Sequence, residues 1–354
     1  MPHVQSVLGA VDPGSLGRVL HHEHLLSLTP GPWLSGGRAS QADTADPLRF
    51  DPTDTAHAEE QVALAVNALS RLVALGIDTV VDLSPYGVVG RDAHGANVVL
   101  LREISRRAGV TVVSGTSVYL EAFSPRWTIE ATLDELATRF VADATSGIGG
   151  TGVRAGILGE QATGLGEITA HEEKCLRAAA RAQRETGVAL TTHTTHGTMA
   201  LEQITILASE DVDPRRVLIG HMDTHPDTDY VRRVVDQGVN IAFDTIGKQY
   251  WDFRVAPSPA DQPDGEFTKH AYLRSDLTRA ARIAQLITEG YLEHILLAQD
   301  LTGSEVYLNP ATHGQWGYTY LPTRFTTLLL QHGVTPTQIN TMMHTNPVRL
   351  LTVD

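Results

Sequence analysis

Short β-branched or apolar runs alternate along the chain with polar turns and longer stretches of helical spacing. This alternation predicts parallel strands joined by helices. Eight runs read as strands, over residues 18–22, 79–83, 110–116, 154–159, 188–193, 217–221, 239–244 and 295–300. Helical signals fall between them. Thr169-Ala170-His171-Glu172 has the form of a capping box opening an Ala- and Arg-rich helix that should stop near Gly187. Thr335-Pro336-Thr337-Gln338 has a cap residue, a proline at the first helical position and a glutamine three residues after the cap.

Eight strands alternating with helices predict an α/β fold, a (β/α)8 TIM barrel. The 354 residues exceed the roughly 250 typical of such a barrel, yet insertions are common in it. Two stretches break the rhythm, residues 29–55 after the first strand and 247–274 after the seventh. Both follow strand C-termini, where barrel enzymes build their sites, and they read as substrate-enclosing loops. A small N-terminal hairpin is expected, with residues 4–8 pairing against Val19 and Leu20 across a turn at Asp12-Pro13-Gly14. No repeat or linker marks a second unit, so residues 1–354 are expected to form one barrel domain.

Charge and composition narrow the function classes. With 27 Lys and Arg against 41 Asp and Glu, the net charge of −14 opposes a phosphate backbone, and nucleic acid is not an expected partner. No segment approaches ~18 uninterrupted apolar residues, so no membrane partner is expected either. Residues 1–10 lack a basic stretch ahead of an apolar run, and the single cysteine, Cys175, excludes an internal disulfide or CxxC motif. These features predict a cytoplasmic protein acting on a small molecule.

The chemistry lies at the ends of the apolar runs. His22 and His24 stand two residues apart, so on a strand both rings share a face. Four later runs end at Glu160, His193, His221 and Asp300. Four imidazoles and two carboxylates suit borderline divalent ions, zinc foremost with manganese, iron or cobalt as alternatives, and are too many for one tetrahedral zinc. Two divalent metal ions are therefore expected: His22, His24 and Asp300 on one, His193 and His221 on the other, with Glu160 bridging. A bridging hydroxide would serve as nucleophile, and Asp300 as the general acid/base. Asp244 is expected to orient a neighbouring group. His21 has the opposite strand parity to His22, and His196 and His225 fall in turns beyond strand ends, so all three are left out of the ligand set.

Aromatic residues Tyr250, Trp251, Phe253, Trp316, Tyr318 and Tyr320 lie in or beyond the late loops, with Trp251 and Trp316 the candidate substrate contacts. Lys248 is a candidate for a substrate carboxylate, or for a salt bridge with an acidic neighbour.

These residues identify a family resemblance. Val4-Gln5-Ser6-Val7-Leu8-Gly9, Leu16-Gly17-Arg18-Val19-Leu20-His21-His22-Glu23-His24-Leu25, the blocks around Glu160, His193, His221 and Asp244, and Asn346-Pro347-Val348-Arg349-Leu350-Leu351 resemble the phosphotriesterase-like family of the amidohydrolase superfamily. The resemblance spans essentially the whole chain and implies a binuclear metallohydrolase on a (β/α)8 barrel with the ligand roles above. It further implies that the Tyr119 phenol points at the substrate oxygen, and it leaves a homodimer open. Founding members bridge their metals with a carboxylated lysine. Gly159-Glu160 offers none, so the chain is similar to the glutamate-bridged phosphotriesterase homology and phosphotriesterase-related proteins. Leu301-Thr302-Gly303-Ser304 also lacks the arginine that relatives acting on phosphorylated substrates place there, which points to a neutral or weakly charged substrate.

The expected activity is metal-dependent hydrolysis of a lactone or carboxylic ester. An amidase acting on an N-acyl amino acid is the alternative, with weak phosphotriesterase promiscuity in either case. A non-enzymatic metal-binding barrel is the reading from a different class.

Overall fold

The computed structural model describes residues 1–28, 53–248, 254–256, 268–270, 275–302 and 317–354. Two short strands, β1 (Val4–Ser6) and β2 (Gly9–Val11), form an antiparallel hairpin. The hairpin exists, but its partner differs from the expected one. The chain turns already at Val7-Leu8, Asp12 instead caps a 3-10 turn, and Val19 and Leu20 belong to the barrel.

Eight parallel strands follow: β3 (Arg18–Glu23), β4 (Ile77–Asp82), β5 (Thr111–Thr116), β6 (Ile157–Thr163), β7 (Ala189–Thr194), β8 (Val217–Ile219), β9 (Asn240–Phe243) and β12 (Ile295–Leu297). They pair in chain order, and the chain just past β12 returns to β3. Asp300 N donates to His22 O at 3.0 Å and His24 N to Leu301 O at 3.3 Å, bringing the last strand round to the first. The result is a (β/α)8 barrel. Between β9 and β12, β10 (Arg254–Ala256) and β11 (Thr268–His270) form a separate antiparallel ribbon.

Both faces of the strands are buried, as parallel strands under helices require. One residue from each strand, Val19, Val81, Val113, Ile157, Ala189, Leu218, Ala242 and Leu296, contributes to the apolar interior, with Val4, Leu16, Leu350 and Leu351 in the same cluster. The opposite faces pack against the helices. Both predicted capping boxes form, at Thr169/Glu172 and Thr335/Gln338, and the first helix, Ala170–Thr186, ends at Gly187 in the left-handed conformation that suits glycine. Cys175 is buried on this helix.

Two register shifts decide what the barrel presents at its C-terminal end. Val19 pairs with Thr79, yet Glu23 pairs with Asp82, so β3 has gained one residue on β4. Leu158 pairs with Leu190 and Gln161 with Thr192, a shift of the same kind in β6. Each irregularity reverses the alternation. Counting on from Val19 and Ile157 without it would send His22, His24 and Glu160 to the helix side. With it they face inward. No helix among the described residues is long and apolar enough to cross a membrane.

Candidate metal centre

The inward-facing residues at the strand ends converge. Glu160, within β6 rather than after it, lies between two pairs of histidines. Its Oε1 is 3.7 Å from His24 Nε2, and its Oε2 is 3.4 Å from His22 Nε2, 3.1 Å from His193 Nδ1 and 3.5 Å from His221 Nε2. Asp300 Oδ1 lies 2.8 Å from His24 Nε2 and 3.4 Å from His22 Nε2. Among the described residues the potential ligand atoms fall into three compact groups, His22 with His24, Glu160 and Asp300, Glu160 with His193 and His221, and His22 with His221 and Asp244; the first two hold the residues expected to meet. These six are thus brought together, with Glu160 common to the first two groups.

Backbone geometry explains the convergence. A Cβ on Gly159 would lie 2.1 Å from Thr191 Cγ2 and 2.5 Å from Thr191 O, so only glycine lets β6 approach β7 closely enough to seat Glu160 beside His193. His221 and Asp300 both adopt left-handed backbone conformations, with φ of 58° and 52°. Each follows the end of its short strand and turns back over the barrel mouth.

Asp244 makes up the third group and reaches the Nδ1 side of both its histidines. Its Oδ2 lies 2.8 Å from His22 Nδ1 and its Oδ1 2.9 Å from His221 Nδ1, while Oδ1 also accepts from the His221 backbone N–H. One buried carboxylate so holds a histidine from each of the first two groups with its Nε2 turned toward Glu160, as oriented metal-binding imidazoles need. Ser84 Oγ stands 3.4 Å from His24 Nδ1, a contact that no sequence signal marked.

Burial alone would depress the His22 pKa, but Glu160, Asp300 and Asp244 outweigh it and hold the ring well above its ordinary value. The same opposition raises His221 to about 10, with Asp244 the strongest of the carboxylates. His193 is lowered, by burial and then by His221. Against the penalty of burial, the histidines keep Glu160 well below the usual carboxylate range, and Lys248 leads in doing so for Asp300. Burial followed by Glu160 and Asp300 pushes the Tyr119 phenol well up, so it stays protonated.

His22 Nε2 is buried without a hydrogen-bond partner among the described residues, although it sits inside a ring of carboxylate oxygens. Such an atom, aimed at a shared carboxylate among three other imidazoles, fits a pair of borderline divalent ions.

Around this cluster, Tyr119 Oη lies 3.5 Å from His193 Nε2. Lys248 Nζ lies 2.5 Å from Asp300 Oδ2, which realises the salt-bridge option for this lysine. Its neighbour Gly247 is anchored through its N–H to Asp276, which also accepts from Tyr320 Oη at 2.7 Å and pairs with Arg279 at 2.9 Å. Tyr318 and Tyr320 are buried and belong to the hydrophobic core. Trp251 and Trp316, with Tyr250 and Phe253, lie outside the described residues. His21 is buried, its pKa lowered to about 4 by burial, and with His196 and His225 it stays outside the ligand groups.

Residues 2–351 match the phosphotriesterase family. The chain belongs to this family of metal-dependent hydrolases. It is 31% identical over 288 residues to the phosphotriesterase homology protein of Escherichia coli (strain K12), covering 81% of this chain and 88% of the relative. It is 25% identical over 361 residues to the N-acetyltaurine hydrolase of Danio rerio, covering 99% and 97%. Among solved structures, a variant of a Deinococcus radiodurans PTE-like lactonase superposes with a TM-score of 0.77 at 29% identity, over 98% of this chain and 99% of that one.

Proposed function

We propose that the chain hydrolyses a lactone or carboxylic ester at a binuclear centre in which His22, His24 and Asp300 hold one ion, His193 and His221 the other, and Glu160 joins them. The observation that carries this reading is the place of Glu160 in both of the groups that hold these residues. Zinc, or manganese, iron or cobalt, suits the donor set. When bound, two such ions polarise a carbonyl oxygen and lower the pKa of water toward neutrality.

The chain's own residues supply the rest. Asp300, whose carboxylate is ionised beside Lys248, accepts the proton of the attacking water and returns it to the leaving oxygen. Tyr119, held protonated, donates a hydrogen bond to the oxyanion. Glu160 comes from the chain itself, so assembly needs no carbon dioxide. The likeness to a lactonase structure supports an ester-type carbonyl.

The N-acetyltaurine hydrolase, which matches almost the whole chain, supports amide hydrolysis of an N-acyl amino acid as a second reading. The same Asp300 would then protonate a leaving nitrogen. Weak phosphotriester cleavage is expected alongside either.

The test is turnover of lactones, carboxylic esters, N-acyl amino acids and an organophosphate by zinc-reconstituted protein, with Asp300→Asn as control. Hydrolysis of lactones or esters, reduced at least about 100-fold in the variant, is the expected result. Turnover confined to amides selects the second reading, and turnover unaffected by the variant overturns the role of Asp300.

A further inference from the structure

We propose that Glu23, which belongs to none of the three groups, is a positioning residue that fixes Asp300 by clasping the backbone on both sides of it. This rests on the reading of Asp300 as ligand and proton carrier.

Glu23 lies between His22 and His24 but on the opposite face of β3, where its register partner is Asp82. It is 0% exposed. Its two oxygens take separate donors: Gln299 N donates to Oε1 at 3.1 Å and Leu301 N to Oε2 at 2.9 Å. The residue between those donors is Asp300. Its own N–H donates to His22 O, so three consecutive backbone N–H groups are held by two adjacent residues of β3.

The clasp matters because of what it holds. Regular pairing of β12 ends at Leu297, three residues before Asp300. Asp300 then takes φ of 52°, a conformation that non-glycine residues seldom adopt unless the surroundings impose it. Two N–H groups flanking one left-handed residue point toward a common concavity, the arrangement by which a backbone grips an anion. Here the gripped group is the buried Glu23 carboxyl, whose pKa burial pushes well above its ordinary value although the Leu301 and Gln299 N–H groups draw it down.

With the backbone held on both sides, the direction in which the Asp300 side chain leaves the strand is set. That direction places Oδ1 beside His24 and Oδ2 beside Lys248. No lysine or arginine pairs with Glu23 among the described residues, and its two oxygens accept from backbone N–H groups. Glutamine has the same shape but one acceptor oxygen, and its amide NH2 would confront the second backbone N–H. Aspartate keeps both oxygens but is one methylene too short.

The test uses the full chain reconstituted with zinc, comparing Glu23→Gln, Glu23→Asp, Asp300→Asn and the double variant Glu23→Gln/Asp300→Asn. Zinc affinity by chelator competition, kcat and KM, and melting of the metal-free protein are measured for each. Glu23→Gln is expected to weaken one of the two zinc ions and to lower kcat, each by about 10–100-fold, while KM moves less than about threefold. In the Asp300→Asn background the same change should add less than about threefold, because the group it positions is gone.

Zinc binding and kcat at wild-type levels in Glu23→Gln would overturn the proposal, as would an equal loss in both backgrounds. If Glu23→Gln does not melt cooperatively, Glu23→Asp is read in its place. If neither does, Glu23 serves barrel closure and not the site, which also overturns the proposal. If Asp300→Asn itself retains both zinc ions and full turnover, the ligand reading fails, an outcome distinct from failure of the clasp alone.

Discussion

Lys248 Nζ lies 2.5 Å from one oxygen of Asp300 while the other oxygen of that carboxylate lies 2.8 Å from His24 Nε2. Both partners are largely buried, with side-chain exposures of 8% and 16%. A buried cation paired with the proposed proton carrier acts first on that carrier, by keeping it ionised and aimed. Lys248→Met should therefore lower kcat about tenfold for neutral and carboxylate-bearing substrates alike, with little change in KM. Steady-state kinetics on a matched pair of substrates checks this. A rise in KM restricted to the anionic substrate would instead assign Lys248 to substrate binding.

The second prediction concerns Gly159. An added Cβ meets the Thr191 backbone oxygen as well as its side chain, and backbone cannot move aside cheaply. Gly159→Ala should cost about 1–3 kcal/mol of stability by overpacking. It should also displace Glu160, so that zinc retention falls together with the denaturation midpoint. Urea melts and zinc analysis of the same preparation test this, and a variant with unchanged midpoint and two zinc ions would contradict it.

The third prediction concerns protons. In the metal-free protein the rings of His22 and His221 have raised pKa values, His221 at about 10. A group whose folded pKa is raised stabilises the fold fully below its unfolded value, about 6.5 for histidine. That contribution is lost as pH rises through the folded value. The metal-free protein should therefore lose stability between about pH 6.5 and about pH 10 from this source, as thermal melts would record. Metal ions need unprotonated nitrogens, so each must displace these protons. Zinc affinity should rise with pH across the neutral range, and binding should release protons into a weakly buffered solution. His193, lowered by burial and then by His221, contributes less to this release than His22 and His221. Affinity independent of pH would show that His22 and His221 carry no proton before the metal arrives.

Much of the architecture was legible in the chain. All eight strands appear where short apolar runs predicted them, and the boxes at Thr169 and Thr335 open helices as their hydrogen-bonding side chains require. These features depend on neighbours a few residues apart. The hairpin partner was misread because residues 4–8 can satisfy the same apolar pattern against several strands, and the two-residue turn at Val7-Leu8 has no glycine or proline to announce it. The position of Tyr318 and Tyr320 after the eighth strand says nothing about which way they point. The Asp276 anchor and the surrounding core decided that.

The same division runs through the site. The sequence by itself determined which side chains the proposed centre uses, because each sits at or near the end of an apolar run and a parallel barrel gathers such ends at one mouth. It also determined that a glutamate, not a lysine, stands at the position proposed to join the two ions, and that His22 and His24 share a face. The tertiary structure alone decided that this face is the inner one, since alternation from Val19 and Ile157 reverses at the irregular registers of β3 and β6. It alone decided that Asp244 holds His22 and His221 together, that Lys248 is engaged by Asp300, and that Glu23 meets the backbone at Gln299 and Leu301. Those contacts join residues up to 278 positions apart. The physical reason is that local pattern sets each strand and its residue types, whereas register and ring closure, which depend on every strand at once, set which oxygen faces which nitrogen.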